Sequence, residues 1–300
     1  MPELPEVQTV VSDLNKKIKG DTITGFWSDW PSTIKNSTLD KFKKNIIGRK
    51  ILGARRLGKN MFIDLSGNKT LYIHLKMTGH LLVKNILPHP AKATLSSKER
   101  GLGGEVEKNY FDDKVNNYIH HIWNLGKEKT LEFSDVRKFA KIVLDDTEKI
   151  NNLKEIKALG IDAMSPQFTF QKFESILNQR KHRPVGLVLM EQEKIAGIGN
   201  IYRSEILFDA GIDPRKKNGE LKPTEKKKIF NSTKKILKKA IEMRGTSDSD
   251  YRDTSGAPGN FHKVLKVYKK TGQKCRRCDT IIKRIKMGQR SVFFCPQCQA

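Results

Sequence analysis

Met1-Pro2-Glu3-Leu4-Pro5-Glu6-Val7 opens the chain, and how these residues are read decides what is built around them. If Met1 is removed, a step the small second side chain favours, Pro2 presents a free secondary amine. A terminal α-amine titrates near ~8, well below a lysine near ~10.4, so much of it is unprotonated at neutral pH. Such an amine can attack a carbonyl-like carbon and form an iminium, and the Glu3 carboxyl beside it can move protons. A plainer reading is also open: Pro2 and Pro5 stiffen the start of a helix, with Glu6 favourable in its first turn. Val7, Val10, Val11, Leu14 and Ile18 recur at helical spacing, which predicts an amphipathic helix over 6–19.

Outward from that helix the period changes. Alternating segments at 50–57, 60–65, 70–76, 80–84, 118–125, 130–134 and 138–144 read as strands, with turns at Gly58-Lys59, Gly67-Asn68 and Thr78-Gly79. The stretch 88–117 is polar, holds Gly101, Gly103 and Gly104 and shows no period; it reads as a loop or insertion with disorder. From about Asn151 the pattern is helical, with candidates at 170–179, 184–192, 200–209 and 223–243, and residues from Val264 onward are β-like. The expected fold is α+β with two domains: an N-terminal antiparallel β-sandwich (or barrel) carrying the N-terminal helix, and a C-terminal helical domain ending in a cysteine-bearing β-hairpin. The expected divisions are 1–148, 149–263 and 264–300.

Lys and Arg number 58 against 33 Asp and Glu, a net charge of +25. That excess favours a polyanionic partner, because neutralising phosphates releases condensed counterions; solubility alone asks for roughly 2–8. A ribosome-associated or membrane-surface protein would also fit the charge. No apolar run approaches ~18 residues, and the N-terminus lacks the apolar core of a signal peptide. A soluble, cytoplasmic protein that meets nucleic acid is expected. All four cysteines, Cys275, Cys278, Cys295 and Cys298, fall in the last 26 residues as C-x2-C-x16-C-x2-C. That spacing predicts one tetrahedral zinc site with four thiolate ligands, structural because four thiolates leave no open coordination position. Two disulfides or free thiols are the alternatives.

The opening, the cysteine pattern and Gly197-Ile198-Gly199-Asn200-Ile201-Tyr202-Arg203-Ser204-Glu205 occur together in one chain. Together they resemble the formamidopyrimidine-DNA glycosylase/endonuclease VIII family of base-excision repair enzymes, from residue 1 to 300 apart from the stretch around 88–117. The opening resembles the formamidopyrimidine (8-oxoguanine) branch. The resemblance implies that Pro2 attacks C1′ of a damaged nucleotide, that Glu3 moves protons, and that Lys59, in Leu57-Gly58-Lys59-Asn60, is the family's essential lysine. It implies a helix–two-turn–helix around Asn200, which would hold a phosphate or serve simply as an N-cap. It also implies phosphate binding by Arg290 on the zinc hairpin, and DNA contacts from His74-Leu75-Lys76-Met77. Met77, Arg137 and Phe139 match the positions that fill the gap left by an extruded base. Taken without the family, Met77 and Phe139 would read as core residues and Lys59 as a surface charge.

The implied activity is a bifunctional glycosylase and abasic-site lyase acting on oxidised purines in duplex DNA, as a monomer. Departures from the family pattern are Glu191-Gln192 for the usual Asp-Gln, Gly186 at a usual lysine, Gln8 at a usual acid, and Asp135-Val136-Arg137-Lys138-Phe139 for Asp-Pro-Arg-Arg-Phe. The Thr246–Asn260 loop corresponds to the variable lesion-capping loop. The rival readings are an endonuclease VIII-like enzyme for oxidised pyrimidines, and a non-catalytic zinc-finger protein that binds nucleic acid.

Overall fold

The computed structural model describes residues 1–86 and 109–299. Its first half is a sandwich of eight strands: β1 (Ile23–Ser28), β2 (Ile51–Leu57), β3 (Asn60–Leu65), β4 (Lys69–His74), β5 (His80–Asn85), β6 (Ile119–Leu125), β7 (Lys129–Ser134) and β8 (Lys141–Asp146). They form two four-stranded antiparallel sheets, ordered β1-β6-β7-β5 and β2-β3-β4-β8. Alternation explains the shared core, because successive side chains point to opposite faces. Met61, Ile63 and Leu65 of β3 share one core with Trp123 and Leu125 of β6 and Leu131 and Phe133 of β7. Each such fully buried side chain contributes about 1.5–3 kcal/mol relative to exposure.

Helix α1 (Leu4–Lys17) spans both halves of the molecule. Val7, Val10, Val11 and Leu14 lie in the sandwich core, whereas Leu4 lies in the core of the helical half. The helix begins two residues before the sequence expectation of 6–19: Pro5 is tolerated in a first turn, and Glu6 Oε2 accepts from the Glu3 N–H at 2.7 Å. Among the elements that escaped sequence reading are β1 and helix α2 (Leu39–Ile46). Helix α2 buries only Phe42 and Ile46 and is capped by Thr38 Oγ1, too few apolar positions to show a period.

The helical half contains α3 (Phe170–Asn178), α4 (Asn200–Ala210) and α5 (Pro223–Glu242). They bury Phe173, Leu177, Tyr202, Ile206, Leu207, Ile229 and Leu237 together. The expected helix at 184–192 shrinks to Val185–Val188, because Gln192 turns inward: its Nε2 donates to Ile198 O at 2.7 Å and its Oε1 accepts from Gly197 N at 3.0 Å. The expected strand at 138–144 begins only at Lys141, since the residues before it form a loop around Asp135. The chain ends in the hairpin β9 (Lys283–Met287) and β10 (Arg290–Phe294), seated by Phe293 and Cys295 in the helical core. Of the stretch expected to be irregular, 88–108 lie outside the described residues, and the remainder folds into 3-10 turns at Tyr110–Asp112 and Lys114–Asn117.

Candidate active site and nucleic-acid interface

The N-terminal residues are locked against the start of α4. Leu4 N donates to Gly197 O at 3.1 Å, and a Cβ on Gly197 would stand 2.5 Å from Leu4 Cδ1. Gly199 carries the same constraint: a Cβ there would stand 2.3 Å from the carboxyl carbon of Glu3. The Glu3 carboxylate accepts from the N–H groups of Gly199 (2.7 Å), Ile201 (2.9 Å) and Tyr202 (3.4 Å). A helix N-terminus leaves its first N–H groups without intrahelical partners and favours negative charge, so a carboxylate from the start of the chain caps α4. Asn200 is therefore the first helical residue and not the cap; Gly199, extended at φ −129°, holds that position.

Glu6 lies behind Glu3. It accepts from Thr246 N at 2.7 Å and from the Tyr202 hydroxyl. Burial, followed by the charge of Glu3, raises its pKa to about 7. Pro2 is buried, while Met1 is 43% exposed and lines a cleft of about 460 Å³. With Met1 attached the Pro2 nitrogen is an amide; its removal uncovers an amine at the cleft wall.

Lys59, His74, Asn200 and Arg290 line the same cleft. Lys59 sits on the β2–β3 turn, which is pinned from the helical half: Asp162 Oδ2 accepts from Gly58 N at 2.7 Å and forms an ion pair with Arg56. Burial pushes the Lys59 amine below its ordinary pKa; Glu3 opposes that shift and Arg290 adds to it. Burial, then Lys76 and Lys59, lower His74 to about 4. The ring is thus neutral at physiological pH, and its Nδ1 accepts from Lys76 N at 3.0 Å, which leaves the proton on Nε2 as a donor.

Met77, Arg137 and Phe139 form a separate ledge outside the cleft lining. Met77 is 41% and Phe139 51% exposed, contrary to the core reading that their chemistry alone suggests. The Arg137 guanidinium lies 4.7 Å from the Phe139 ring centroid, and its Nη1 is 3.1 Å from Met77 Sδ. The buried Asp135 carboxylate organises the ledge. It accepts from the N–H groups of Arg137 (3.2 Å), Phe139 (2.9 Å) and Ala140 (3.0 Å) and from the Thr78 hydroxyl, tying the two loops together. Sequence reading placed Asp135 in a motif without giving it this task.

Sequence reading also missed Arg203 and Glu205. Arg203 is fully buried and donates to the Asn200 side chain, to Gly186 O at 3.1 Å and to Ser291 O at 3.1 Å. It therefore holds Asn200 and the hairpin bearing Arg290 in one frame. Glu205 accepts from Lys266, Val267 and Tyr268 N–H at 2.9, 3.0 and 2.9 Å. At Gly186 a Cβ would meet Pro214 O at 2.8 Å, so a lysine there would push the two backbone segments apart.

The four cysteine sulfurs lie within 4.8 Å of one another, with approaches of 3.2, 3.5 and 3.9 Å. A tetrahedron with Zn–S bonds of about 2.3 Å has edges of about 3.8 Å, so the cage fits zinc. Arg277 and Cys298 N–H groups point at Cys275 and Cys295 Sγ, both at 3.4 Å, as thiolate ligands on tight knuckles require. Arg277 Nη1 also donates to Phe208 O at 2.7 Å, which fastens the knuckle to α4.

Three domain families match in chain order: the formamidopyrimidine-DNA glycosylase N-terminal domain over 1–142, the formamidopyrimidine-DNA glycosylase H2TH domain over 159–252, and the zinc finger found in FPG and IleRS over 272–300. A formamidopyrimidine-DNA glycosylase of Pelotomaculum thermopropionicum is 36% identical over 299 residues, covering 100% of this chain and 99% of that protein. Lactococcus lactis Fpg bound to DNA containing an abasic site superposes with a TM-score of 0.82 at 29% identity, covering 99% of each chain. The same Lactococcus lactis protein bound to DNA containing an oxidised pyrimidine gives a TM-score of 0.80 at 29% identity, again covering 99% of each chain. With these matches laid over the sandwich and helical halves, the Glu3–α4 junction and the four-cysteine cage, the chain belongs to the formamidopyrimidine-DNA glycosylase family.

Proposed function

We propose that this protein is a base-excision repair glycosylase that removes oxidised purines from duplex DNA, then cleaves the strand as an abasic-site lyase. The observation that supports the mechanism is the junction of the N-terminal residues with α4: the Glu3 carboxylate is held by the N–H groups of Gly199 and Ile201, and Met1, Lys59 and Gly199 line one cleft. Once Met1 is removed, the Pro2 amine attacks C1′ of the extruded nucleotide. The C1′–N glycosidic bond breaks and the departing base takes up a proton. Ring opening then gives an iminium between Pro2 and C1′, with the sugar O4′ protonated; Glu3 moves that proton. The iminium acidifies the C2′ hydrogens. Loss of one expels the 3′ phosphate, and a second elimination expels the 5′ phosphate.

Lys59, with its amine pushed down by burial, serves the lesion side of the cleft and an adjacent phosphate. His74 Nε2–H, Asn200 and Arg290 hold backbone phosphates. Met77, Arg137 and Phe139 fill the gap left in the duplex: an apolar wedge props the stack and the guanidinium meets the orphaned base. One zinc ion held by Cys275, Cys278, Cys295 and Cys298 supplies structure and no chemistry; it keeps the hairpin rigid so that Arg290 faces the backbone. The substrate is damaged double-stranded DNA and the acting species is a monomer. Among the described residues no helix is long and apolar enough to cross a membrane.

Borohydride reduction on an abasic duplex should trap a covalent adduct, and an N-terminally blocked form should give none. An unaffected blocked form would exclude Pro2. Matched duplexes carrying 8-oxoguanine or thymine glycol test the substrate: faster cleavage of the 8-oxoguanine duplex is expected, and the reverse would favour the oxidised-pyrimidine reading.

A further inference from the structure

Thr78, His80, Asn116, Asp135 and Gly256 meet in a buried polar cluster, in which the His80 ring donates from Nε2 to Asn116 Oδ1 and the backbone itself links His80 to Thr78. One end lies at the loop after α5 and the other at the exposed ledge. Asn116 is fully buried. Its Nδ2 donates to Tyr110 O at 2.7 Å and to Gly256 O at 3.2 Å, while its Oδ1 faces His80 Nε2 at 2.9 Å. Two carbonyl acceptors on one side and a ring nitrogen on the other fix the amide's orientation. His80 Nδ1 faces Thr78 O at 3.2 Å, and the Thr78 hydroxyl donates to Asp135, which accepts from the backbone of Arg137 and Phe139.

Gly256 belongs to the loop between α5 and the zinc hairpin. That loop closes on the N-terminal corner: Thr246 N donates to Glu6 Oε1 at 2.7 Å, and the Tyr251 hydroxyl donates to Glu6 O at 3.4 Å. Beside the Asn116 contact, Arg252 grips Asp113 through Nε at 3.0 Å and Nη2 at 2.8 Å. A Cβ on Gly256 would stand 2.7 Å from Asn116 Nδ2, and its φ is +77°, so the loop meets this segment at contact distance.

We propose that Asn116 is a positioning residue that couples the 246–259 loop, set against the N-terminal corner, to the turn bearing Met77 and, through Asp135, to Arg137 and Phe139. The Asp113–Arg252 pair is the second fastening of the same joint. The inference rests on the glycosylase and lyase reading above. Extruding a paired nucleotide costs a few kcal/mol, and least where the base is already gone. Coordinated setting of wedge and loop therefore matters more for excising an intact lesion than for cleaving a preformed abasic site.

The test compares single-turnover excision of 8-oxoguanine with cleavage of a preformed abasic site, on the full chain with zinc bound. Asn116→Ala deletes the joint, and Asn116→Asp keeps the oxygen facing His80 but sets a carboxylate against two carbonyl oxygens. Both should slow excision about tenfold, as loss of buried hydrogen bonds at a joint does, and leave abasic cleavage within about twofold. Arg252→Gln, a milder change that keeps the core intact, should slow excision a few-fold; adding Asp113→Arg to Arg252→Asp should restore part of that loss. Equal falls in both activities, or no fall in excision, would overturn the proposal. Wild-type protein that cleaves neither substrate would instead sink the underlying reading.

Discussion

The corner at Glu3 and the ledge at Phe139 are both organised by a buried carboxylate that accepts several backbone N–H groups, yet they present opposite surfaces. At the corner the functional groups are themselves buried. Glu3 and Glu6 are 2% and 1% exposed and Lys59 is 8% exposed. Desolvation there raises Glu6 to about 7 and pushes Lys59 down, bringing both toward neutral pH, where proton transfer is most effective. At the ledge Asp135 is buried, and the residues beside it, Met77, Arg137 and Phe139, are exposed. The proposed roles match this contrast: chemistry needs removal from water, whereas a wedge must stay in water until a base stack arrives to cover it.

The contrast breaks first at Glu3. Glu3→Gln keeps the shape but removes the proposed proton carrier and the negative cap of α4. Base excision measured under single turnover should fall about 10²–10⁴-fold, and a loss below about tenfold would show the carboxylate to be only a structural cap.

Glu6 sharpens the comparison through pH. Its pKa of about 7 in the folded protein exceeds the ordinary 4.5, so the folded state binds that proton more tightly than the unfolded one. The resulting stabilisation is complete below about pH 4.5 and is lost as pH rises through about 7. Urea unfolding should show stability falling between about pH 5 and pH 8 by up to about 3 kcal/mol on this account, and Glu6→Gln should flatten that slope.

At the ledge the expected effect is functional with little change in stability. Phe139→Ala should cost about 1–3 kcal/mol of base stacking, read as about 5- to 150-fold slower excision, while unfolding stability stays within about 0.5 kcal/mol because the ring is exposed. A large drop in stability would mean the ring is a core residue after all. The smallest effect is expected at Arg290, whose proposed role is a single phosphate contact from the cysteine-bearing hairpin. Arg290→Ala should weaken duplex binding by a similar factor for all sequences and reduce the slope of log K against log salt by about 0.9.

Much of the fold is legible in the residue pattern alone. Helix α1 shows itself through Val7, Val10, Val11 and Leu14, and most strands through alternation, because both periods are local properties of the backbone. The short α2 and β1 are not legible, since their few apolar positions pack against residues far along the chain. The same holds at the site. Asp162 reaches back across the molecule to Arg56 and Gly58, and Arg203 reaches forward to Ser291; neither partner is visible within a motif window. Asn200 reads as a cap in the sequence, but the Glu3 carboxylate from the start of the chain occupies that role.

The sequence by itself determined the residue types for the chemistry: a proline and glutamate at the start, four cysteines spaced for a metal cage, two glycines before Asn200, and a charge of +25 suited to DNA. Hydrophobic period and metal-ligand spacing are encoded within short stretches, so they survive without a partner. Only the tertiary structure decided that Glu3 caps α4, that Glu6 titrates near 7, that Lys59 is buried, and that Met77 and Phe139 stay exposed. Those properties depend on which surfaces meet and how much water is excluded, and that is settled when the sandwich and the helical half close around the first residues of the chain.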